Sequence, residues 1–455
     1  MPRAALHNLG CKVNAYETEA MQQQLAERGY EIVPFDQKAD VYVINTCSVT
    51  NIADRKSRQM LHRAKKMNPE AVVVAAGCYV QVAAEALMQD ACVDIIIGNN
   101  KKAQLADILE EYLEGKAAET DVHVLDIAHT DEFESQHVDR LSSHTRAFVK
   151  VQDGCNQFCS YCIIPYARGR VRSRRPEDVV EEIRGLVSAG YKEVVLTGIH
   201  LSSYGMEDRE EGPVRGGDWD HKALWGLIAD VHQVEGLERI RLGSLEPRII
   251  TEEFARLLAG LPKFCPHFHL SLQSGCDETL KRMNRHYTTE DYLGRCDILR
   301  RHFIRPAITT DVIVGFPGET EEEFRITRNF LEKVHFYEMH VFKYSKREGT
   351  RAAMMPDQVP EQIKAARSDA LLQLEASMSR EYREGFAGQE VSVLFEETVD
   401  VDGRACMMGY TPQYVKAALA LDGTGTAKEL AGQIRAVYAG ELLSGDLLRV
   451  EFSQK

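Results

Sequence analysis

No apolar run in the sequence approaches the ~18 residues that cross a bilayer. The first residues, Met-Pro-Arg-Ala-Ala-Leu-His-Asn, carry no apolar signal stretch. Both absences argue against a secreted or membrane protein, and cytoplasm is the expected compartment. There is no solenoid-type repeat and no low-complexity tract. Positive charge is not in surplus: 55 Lys and Arg stand against 69 Asp and Glu, a net charge of −14. That argues against a protein that coats nucleic acid without specificity. The 11 cysteines are odd in number, so complete internal pairing is excluded too. In a cytosolic chain, clustered cysteines signal metal or redox chemistry rather than disulfides.

What is present is globular. The chain has 455 residues, 44% apolar and 27% charged, which suggests roughly three domains at about 150 residues each. Charge is unevenly spread. Arg146, Lys150, Arg168, Arg170, Arg172, Arg174 and Arg175 face Asp153 alone across one stretch, and Arg55, Lys56, Arg58, Arg63, Lys65 and Lys66 form a second basic stretch. The compensating acid includes residues 107–139. Such a pattern is compatible with a discrete nucleic-acid site.

The first ~100 residues alternate short apolar runs (4–9, 41–45, 72–76, 93–98) with helix-like stretches (17–28, 53–67, 82–89), which predicts a parallel α/β sheet. Residues 107–140 read as a helix and then a linker. From Arg146 the alternation resumes with a longer beat. Candidate strands at 147–151, 193–197, 239–243, 267–272, 308–314 and 338–342 make about six β/α units, a barrel short of the usual eight. After a helix near 361–384, five short strands separated by glycines predict a small antiparallel barrel of OB-like size. The expected domains are 1–115, a linker at 116–140, 141–378 and 379–455.

Cys155-Asn-Gln-Phe-Cys159-Ser-Tyr-Cys162 is the sharpest local signal. Three thiolates within eight residues suit an iron–sulfur cluster or zinc, and a structural zinc site would want a fourth ligand. A cubane with one open iron fits three better. A second trio emerges when the strands are laid out. Cys11, Cys47 and Cys78 each follow a predicted strand at the same phase. In a parallel sheet these positions meet along one rim, where ligands bind. Cys92, Cys265, Cys276, Cys296 and Cys406 share no such phase and read as core or incidental.

Other polar turns fall at the carboxyl ends of predicted barrel strands, the face that carries chemistry in such barrels. They contain Gly198, Glu246, Gln273 and the run Gly315-Phe316-Pro317-Gly318. Gly198 allows close backbone approach to a ligand, and Glu246 and Gln273 are candidates to hold a cofactor's ribose or amino group. His200, His267 and His269 read as core or hydrogen-bonded residues. Arg168, Arg170, Arg172, Arg174 and Arg175, just past the cysteine loop, are the candidate contacts for RNA phosphate. The polar stretch 205–220 is a candidate cover for substrate.

Cys155-x3-Cys159-x-Tyr161-Cys162, with an aromatic before the last cysteine, resembles the signature of radical S-adenosylmethionine enzymes. With Cys11, Cys47, Cys78 and the small terminal barrel, the whole chain is similar to the methylthiotransferases: an amino-terminal domain, a radical-SAM partial barrel and a TRAM domain. Gly409-Tyr410-Thr411-Pro412-Gln413-Tyr414 sits where TRAM domains carry a similar stretch. Gly10-Cys11-Lys12-Val13-Asn14 and Thr46-Cys47-Ser48-Val49-Thr50 look most like the MtaB-type branch, which methylthiolates N6-threonylcarbamoyladenosine beside the tRNA anticodon. The TRAM-like segment is itself acidic, which shifts RNA binding toward the two basic stretches.

The resemblance implies that Cys155, Cys159 and Cys162 hold a 4Fe-4S cluster whose open iron binds S-adenosylmethionine, with Tyr161 against the adenine. It implies a second 4Fe-4S cluster on Cys11, Cys47 and Cys78 that carries the sulfur to be inserted at carbon 2 of the base. The partners it implies are tRNA, an electron donor such as flavodoxin or ferredoxin, and a sulfur source. The alternatives are the same chemistry on isopentenyladenosine or on a ribosomal-protein aspartate, and a non-catalytic Cys-metal RNA-binding module.

Overall fold

The computed structural model describes residues 1–115, 120–138, 145–207, 217–421 and 426–452. The apolar runs of the amino-terminal segment become β1 (Arg3–Asn8), β2 (Glu31–Ile32), β3 (Val41–Thr46), β4 (Val72–Gly77) and β5 (Ile95–Ile97). They pair in parallel in the order β2-β1-β3-β4-β5, and β6 (Asp121–His123) is added at the far edge. Strands β3 and β4 lie in the middle and are buried on both faces, which is why Val-Tyr-Val-Ile and Val-Val-Val-Ala-Ala do not alternate with polar residues. Helices α1 (Lys12–Glu27), α2 (Asn51–Met67), α3 (Cys78–Met88) and α4 (Leu105–Leu113) cover the sheet. The Thr50 hydroxyl caps α2 by accepting the Ala53 N–H at 3.1 Å.

The expected linker at 116–140 is instead packed structure where it is described. β6 extends the first sheet, and Ile127 and Val138 are buried. Its short, charged strand has too little alternation to betray itself, and the sheet edge supplies the pairing. Residues 116–119 and 139–140 of that segment lie outside the described residues.

Six parallel strands form the second domain: β7 (Ala147–Asp153), β9 (Glu193–Gly198), β10 (Arg239–Leu242), β11 (His267–His269), β12 (Ala307–Val314) and β13 (Glu338–Lys343). β8 (Arg172–Ser173) runs antiparallel on the outer edge of β7. Single bridges at Ile240–Phe264 and Leu245–Leu270 join the β7-β9-β10 arc to the β11-β12-β13 arc. β7 and β13 do not pair, so the barrel is open on one side. One face of each strand (Val149 and Val151, Ile240 and Leu242, Ile308 and Val312) joins the apolar core beneath the helices. The other phase, including Lys150, Gln152, Glu193 and Arg241, faces the lumen, and it is polar.

The amino-terminal domain spans this gap. Helix α1 packs on β7 and β9. On the opposite margin, Arg347, just past β13, donates to the Ser48 hydroxyl at 2.7 Å, and Asn51 Nδ2 donates to the Lys346 carbonyl at 3.0 Å. The lumen is thereby walled by both domains.

After the helix Glu361–Glu384 come β14 (Glu390–Val401), β15 (Arg404–Tyr410), β16 (Lys416–Ala420), β17 (Ile434–Leu442) and β18 (Leu448–Glu451). They close in the order β14-β15-β16-β18-β17, with all pairs antiparallel except β16 with β18. This small barrel is seated by two arginines of β10. Arg239 donates to the carbonyls of Tyr410 and Ser392, each at 2.9 Å, and Arg241 donates to that of Pro412 at 2.8 Å. Glu193 neutralises both, at 3.4 and 2.8 Å. Among the described residues no helix is long and apolar enough to cross a membrane.

Removing one partner of a buried ion pair strands the other's charge, at a cost of about 3–5 kcal/mol. Glu193→Ala is therefore expected to lower the thermal midpoint and to expose the junction before the small barrel. Limited proteolysis near residue 388 checks this; unchanged melting and cleavage would show that the seat does not depend on Glu193.

Candidate active site

The amino-terminal trio is assembled by the sheet. β1, β3 and β4 are adjacent, so Cys11, Cys47 and Cys78 follow three neighbouring carboxyl ends. Close approach at this rim demands glycine. Gly10 has φ +115°, and a Cβ there would lie 3.0 Å from Cys47 Sγ. Gly77 has φ +99°, and its Cβ would meet Asn45 Oδ1 at 2.5 Å. Asn14 Nδ2 ties the rim together, donating to the carbonyls of Leu9 and Thr46 at 2.7 and 2.9 Å. Burial, with Cys78 and Cys11 close by, pushes the Cys47 thiol up to about 12.

The second trio lies on the loop after β7. Gly154, at φ +71°, passes so close to the Arg170 carbonyl that a Cβ would overlap it at 1.7 Å. Cys155 N donates to the Gly169 carbonyl at 3.0 Å, and Cys162 N to that of Cys159 at 3.0 Å. Burial and the neighbouring Cys159 push the Cys155 thiol up to about 12, and the same two causes raise Cys162. Six free thiols are thus gathered in two mutually interacting groups.

The ligand count bears on the metal. A structural zinc wants four protein ligands, whereas three cysteines, each trio with an arginine N–H on one sulfur, fit a multi-iron cluster.

Those arginines are Arg168 and Arg285. Arg168 Nε donates to Cys78 Sγ at 3.2 Å, and Arg285 Nη1 donates to Cys159 Sγ at 3.3 Å. Arg168 also binds the Glu17 carboxylate of α1, at 2.6 Å from Nη1 and 2.9 Å from Nη2, and Asp153 Oδ2 at 3.1 Å. Lys150 bridges the same two acids at 2.7 and 2.6 Å, and Lys102 completes the pairing of Glu17. Burial alone would raise the Glu17 pKa, but Arg168, Lys102 and Lys150 hold it well below the usual carboxylate range. Asp153 in turn accepts the Gly154 N–H at 2.8 Å, at the entrance to the Cys155 loop. One buried charge network therefore runs from Cys78 to the second trio.

This corrects the reading of the arginine run. Arg168, Arg172 and Arg174 are not surface contacts for RNA, because all three are buried and bound. Arg172 donates to the Arg168 carbonyl at 2.9 Å and lies 3.8 Å from Asp153, while Arg174 pairs with Glu182. The acids that neutralise them come from α1, β7 and the helix Pro176–Ser188, so the local sequence looks falsely bare. Arg170 and Arg175 are exposed; Arg170 lies over the Phe158 ring at 4.8 Å and Arg175 pairs with Asp178. On α2, Arg55, Lys56, Arg58, Arg63 and Lys66 are exposed.

The candidate cofactor residues line the carboxyl end of the barrel, mostly engaged with protein. Tyr161 sits edge-on to Phe316 at 6.3 Å in an apolar nest, and its phenol pKa is raised by burial. A Cβ on Gly198 would lie 2.7 Å from Gln152 Oε1. Gln152 also accepts the His200 N–H at 2.7 Å and donates to the Gly154 carbonyl at 2.8 Å, so it braces the cysteine loop. Glu246 binds Arg248 Nε at 2.7 Å. Gln273 has φ +73° and bonds through its backbone to β12. Residues 208–216 of the candidate cover lie outside the described residues.

Glu17, Arg285, Gln152 and Lys12 escaped the sequence reading. Glu17 and Gln152 lie in ordinary helix and strand patterns, and Arg285 lies 126 residues from its partner cysteine. Lys12 is adjacent to Cys11; burial and the Arg241 and Arg146 charges lower its pKa to about 8.

Two variants separate structural from surface arginines. Arg172→Glu is expected to lower the unfolding free energy by about 3 kcal/mol while leaving the salt slope of nucleic-acid binding unchanged. Arg55→Glu with Lys56→Glu is expected to leave stability within about 0.5 kcal/mol and to reduce the salt slope by about 2. Denaturation and salt titration read both, and a reversed pattern would contradict the burial described here.

Residues 149–331 match the radical SAM superfamily, and residues 3–98 match the family described as "Uncharacterized protein family UPF0004". The chain is 43% identical over 91% of its length to the threonylcarbamoyladenosine tRNA methylthiotransferase MtaB of Bacillus subtilis, covering 90% of that protein. It is 41% identical over 87% of its length to the MtaB of Aquifex aeolicus, covering 93% of it. The tRNA-2-methylthio-N(6)-dimethylallyladenosine synthase of Moorella thermoacetica is 39% identical over 85% of each chain. In fold, the radical S-adenosylmethionine methyltransferase TsrM from Kitasatospora setae aligns with a TM-score of 0.57 at 16% identity, over 78% of this chain and 74% of that one. Two cysteine trios on strand ends, one in each matched region, agree with relatives that span nearly the whole length: the chain belongs to the radical SAM methylthiotransferase family.

Proposed function

We propose that this chain methylthiolates carbon 2 of N6-threonylcarbamoyladenosine in tRNA. The observation that carries the reading is the pair of three-cysteine sites joined through Arg168 across a single polar lumen. The relatives covering about nine-tenths of the chain at 43% and 41% identity bear the threonylcarbamoyl name, ahead of the dimethylallyl relative at 39%. A tRNA substrate places the work in the cytoplasm.

In this reading Cys155, Cys159 and Cys162 hold the 4Fe-4S cluster that binds S-adenosylmethionine. Cys11, Cys47 and Cys78 hold a second cluster that presents the sulfur. When bound, cluster and S-adenosylmethionine supply one-electron chemistry that opens an inert C–H bond, which no side-chain acid or base here can do. The protein's share is placement. Gln152 and Asp153 fix the Cys155 loop; Arg285 and Arg168 each donate to a cysteine sulfur, a contact that stabilises the electron-rich form of a cluster. The amino-terminal domain closes the open side of the barrel and keeps water from the chamber. The target base leaves its stack to enter, as enzymes that act on bases require. The exposed cations of α2 receive the RNA backbone. An electron donor such as flavodoxin or ferredoxin and a sulfur source complete the cycle.

Anaerobically prepared protein is expected to hold about eight irons per chain. Cys159→Ala should hold about four and lose cleavage of S-adenosylmethionine; Cys47→Ala should hold about four, keep that cleavage and fail to insert sulfur. Mass spectrometry of tRNA nucleosides from a deletion strain should show loss of the 2-methylthio form of threonylcarbamoyladenosine. Unchanged tRNA would refute the substrate, and identical behaviour of the two variants would refute the division of labour.

A further inference from the structure

The floor of the lumen carries more positive charge than it neutralises. Arg146, just before β7, and Arg239 and Arg241 of β10 meet there with Lys12 of α1. Among the described residues two carboxylates answer them. Glu193 takes Arg241 and Arg239, and Glu396 of β14 takes Arg146 Nε at 2.6 Å. Both acids are thus engaged by guanidinium groups. Lys12 has no ion pair and no hydrogen bond from its ammonium to any described residue; its charged neighbours Arg241 and Arg146 repel it, while Cys11 and Glu193 attract it from beyond bonding distance. Among the described residues, then, no carboxylate pairs with this ammonium directly, although its position among cations leaves room for one.

A second orphan lies beside it. His267 of β11 is 6% exposed, its ring 5.1 Å from that of Tyr414, and its Nδ1 is buried with no hydrogen-bond partner. A buried polar atom without a partner costs free energy, so one on a chamber wall leaves a hydrogen bond for a ligand to make. The wall above is polar. His269 Nε2 lies 3.3 Å from Asp311 Oδ2, His340 stacks on His269 at 5.7 Å, and Phe342 of β13 is 46% exposed.

The missing partner is an anion small enough to share a chamber with a base. Of the two modified adenosines named among the relatives, the threonylcarbamoyl form bears a carboxylate and a hydroxyl, whereas the dimethylallyl form bears neither. We propose that Lys12 and His267 form the binding site for the carboxylate of the N6-threonylcarbamoyl group, and that this site selects threonyl-bearing over prenyl-bearing adenosine. The proposal rests on the substrate reading given above and adds the residues that enforce it. Burying Lys12 against a chargeless side chain leaves the ammonium unpaired, so discrimination is by penalty as well as by attraction.

The test is a binding ratio. An anticodon stem-loop RNA carrying threonylcarbamoyladenosine is titrated, without S-adenosylmethionine, into full-length anaerobic protein. A second RNA, identical but for a methyl ester on the carboxylate, serves as the reference. The free acid should bind about tenfold more tightly. Lys12→Gln should bring the two affinities within about twofold of each other, Lys12→Arg should restore the preference, and His267→Gln should reduce it at least threefold. Iron content is measured on each variant; should Lys12→Gln lose iron, His267→Gln decides. Equal affinity for acid and ester in the wild type, or an undiminished ratio in an iron-replete Lys12→Gln or His267→Gln, overturns the proposal. Failure of the substrate reading has a different signature, tRNA nucleosides that do not change in the deletion strain.

Discussion

Glu17 is the pivot of the molecule. Its carboxylate, contributed by the first helix of one domain, is buried against Arg168, Lys150 and Lys102. Buried charges are costly unless every partner is present. The arrangement is therefore stable only when the amino-terminal domain sits against the barrel with Arg168 in place. That constraint sets the relation between the cysteine sites, since the same guanidinium reaches Cys78 and the same cluster of charge includes Asp153 at the mouth of the Cys155 loop. Apolar packing would hold two domains together, but it would tolerate sliding. A many-partnered ionic network has one geometry, and it holds the two cysteine sites in one relation.

The division of labour among the elements follows. Parallel sheets put their carboxyl ends on one rim, so each domain offers a ready platform for three ligands. Six strands leave the barrel open, and the first domain fills the opening from both margins, through α1 and through Arg347. The terminal barrel takes no part in the rim. It covers the opposite end, held by Arg239 and Arg241, and its tyrosines stack on the cations of the lumen floor. The polar interior is thus enclosed at its base and walled by protein at its side.

Much of this was legible from residues alone. The strands read from the sequence fell within a few residues of their places because buried strands announce themselves as apolar runs, whereas the two-residue strands β2 and β8 left no such run; the phase of Cys11, Cys47 and Cys78 then placed them side by side. The failures share one cause. Arg168, Arg172 and Arg174 looked like a basic surface because Glu17 and Glu182, which neutralise two of them, lie outside the run. Segment 120–138 looked like a linker because its strand depends on a sheet edge that already exists. Arg285 carried no signal, since neither its spacing nor its neighbours are unusual. Periodicity reports local burial; it does not report which distant charge an arginine will meet.

The central claim is that the six cysteines bind two distinct iron clusters within one chamber. Anomalous diffraction at the iron edge from an anaerobic crystal tests it most directly. Two separate iron peaks are expected, one bonded to Cys11, Cys47 and Cys78 and the other to Cys155, Cys159 and Cys162. A single peak, or a signal at the zinc edge in place of either, would contradict the account.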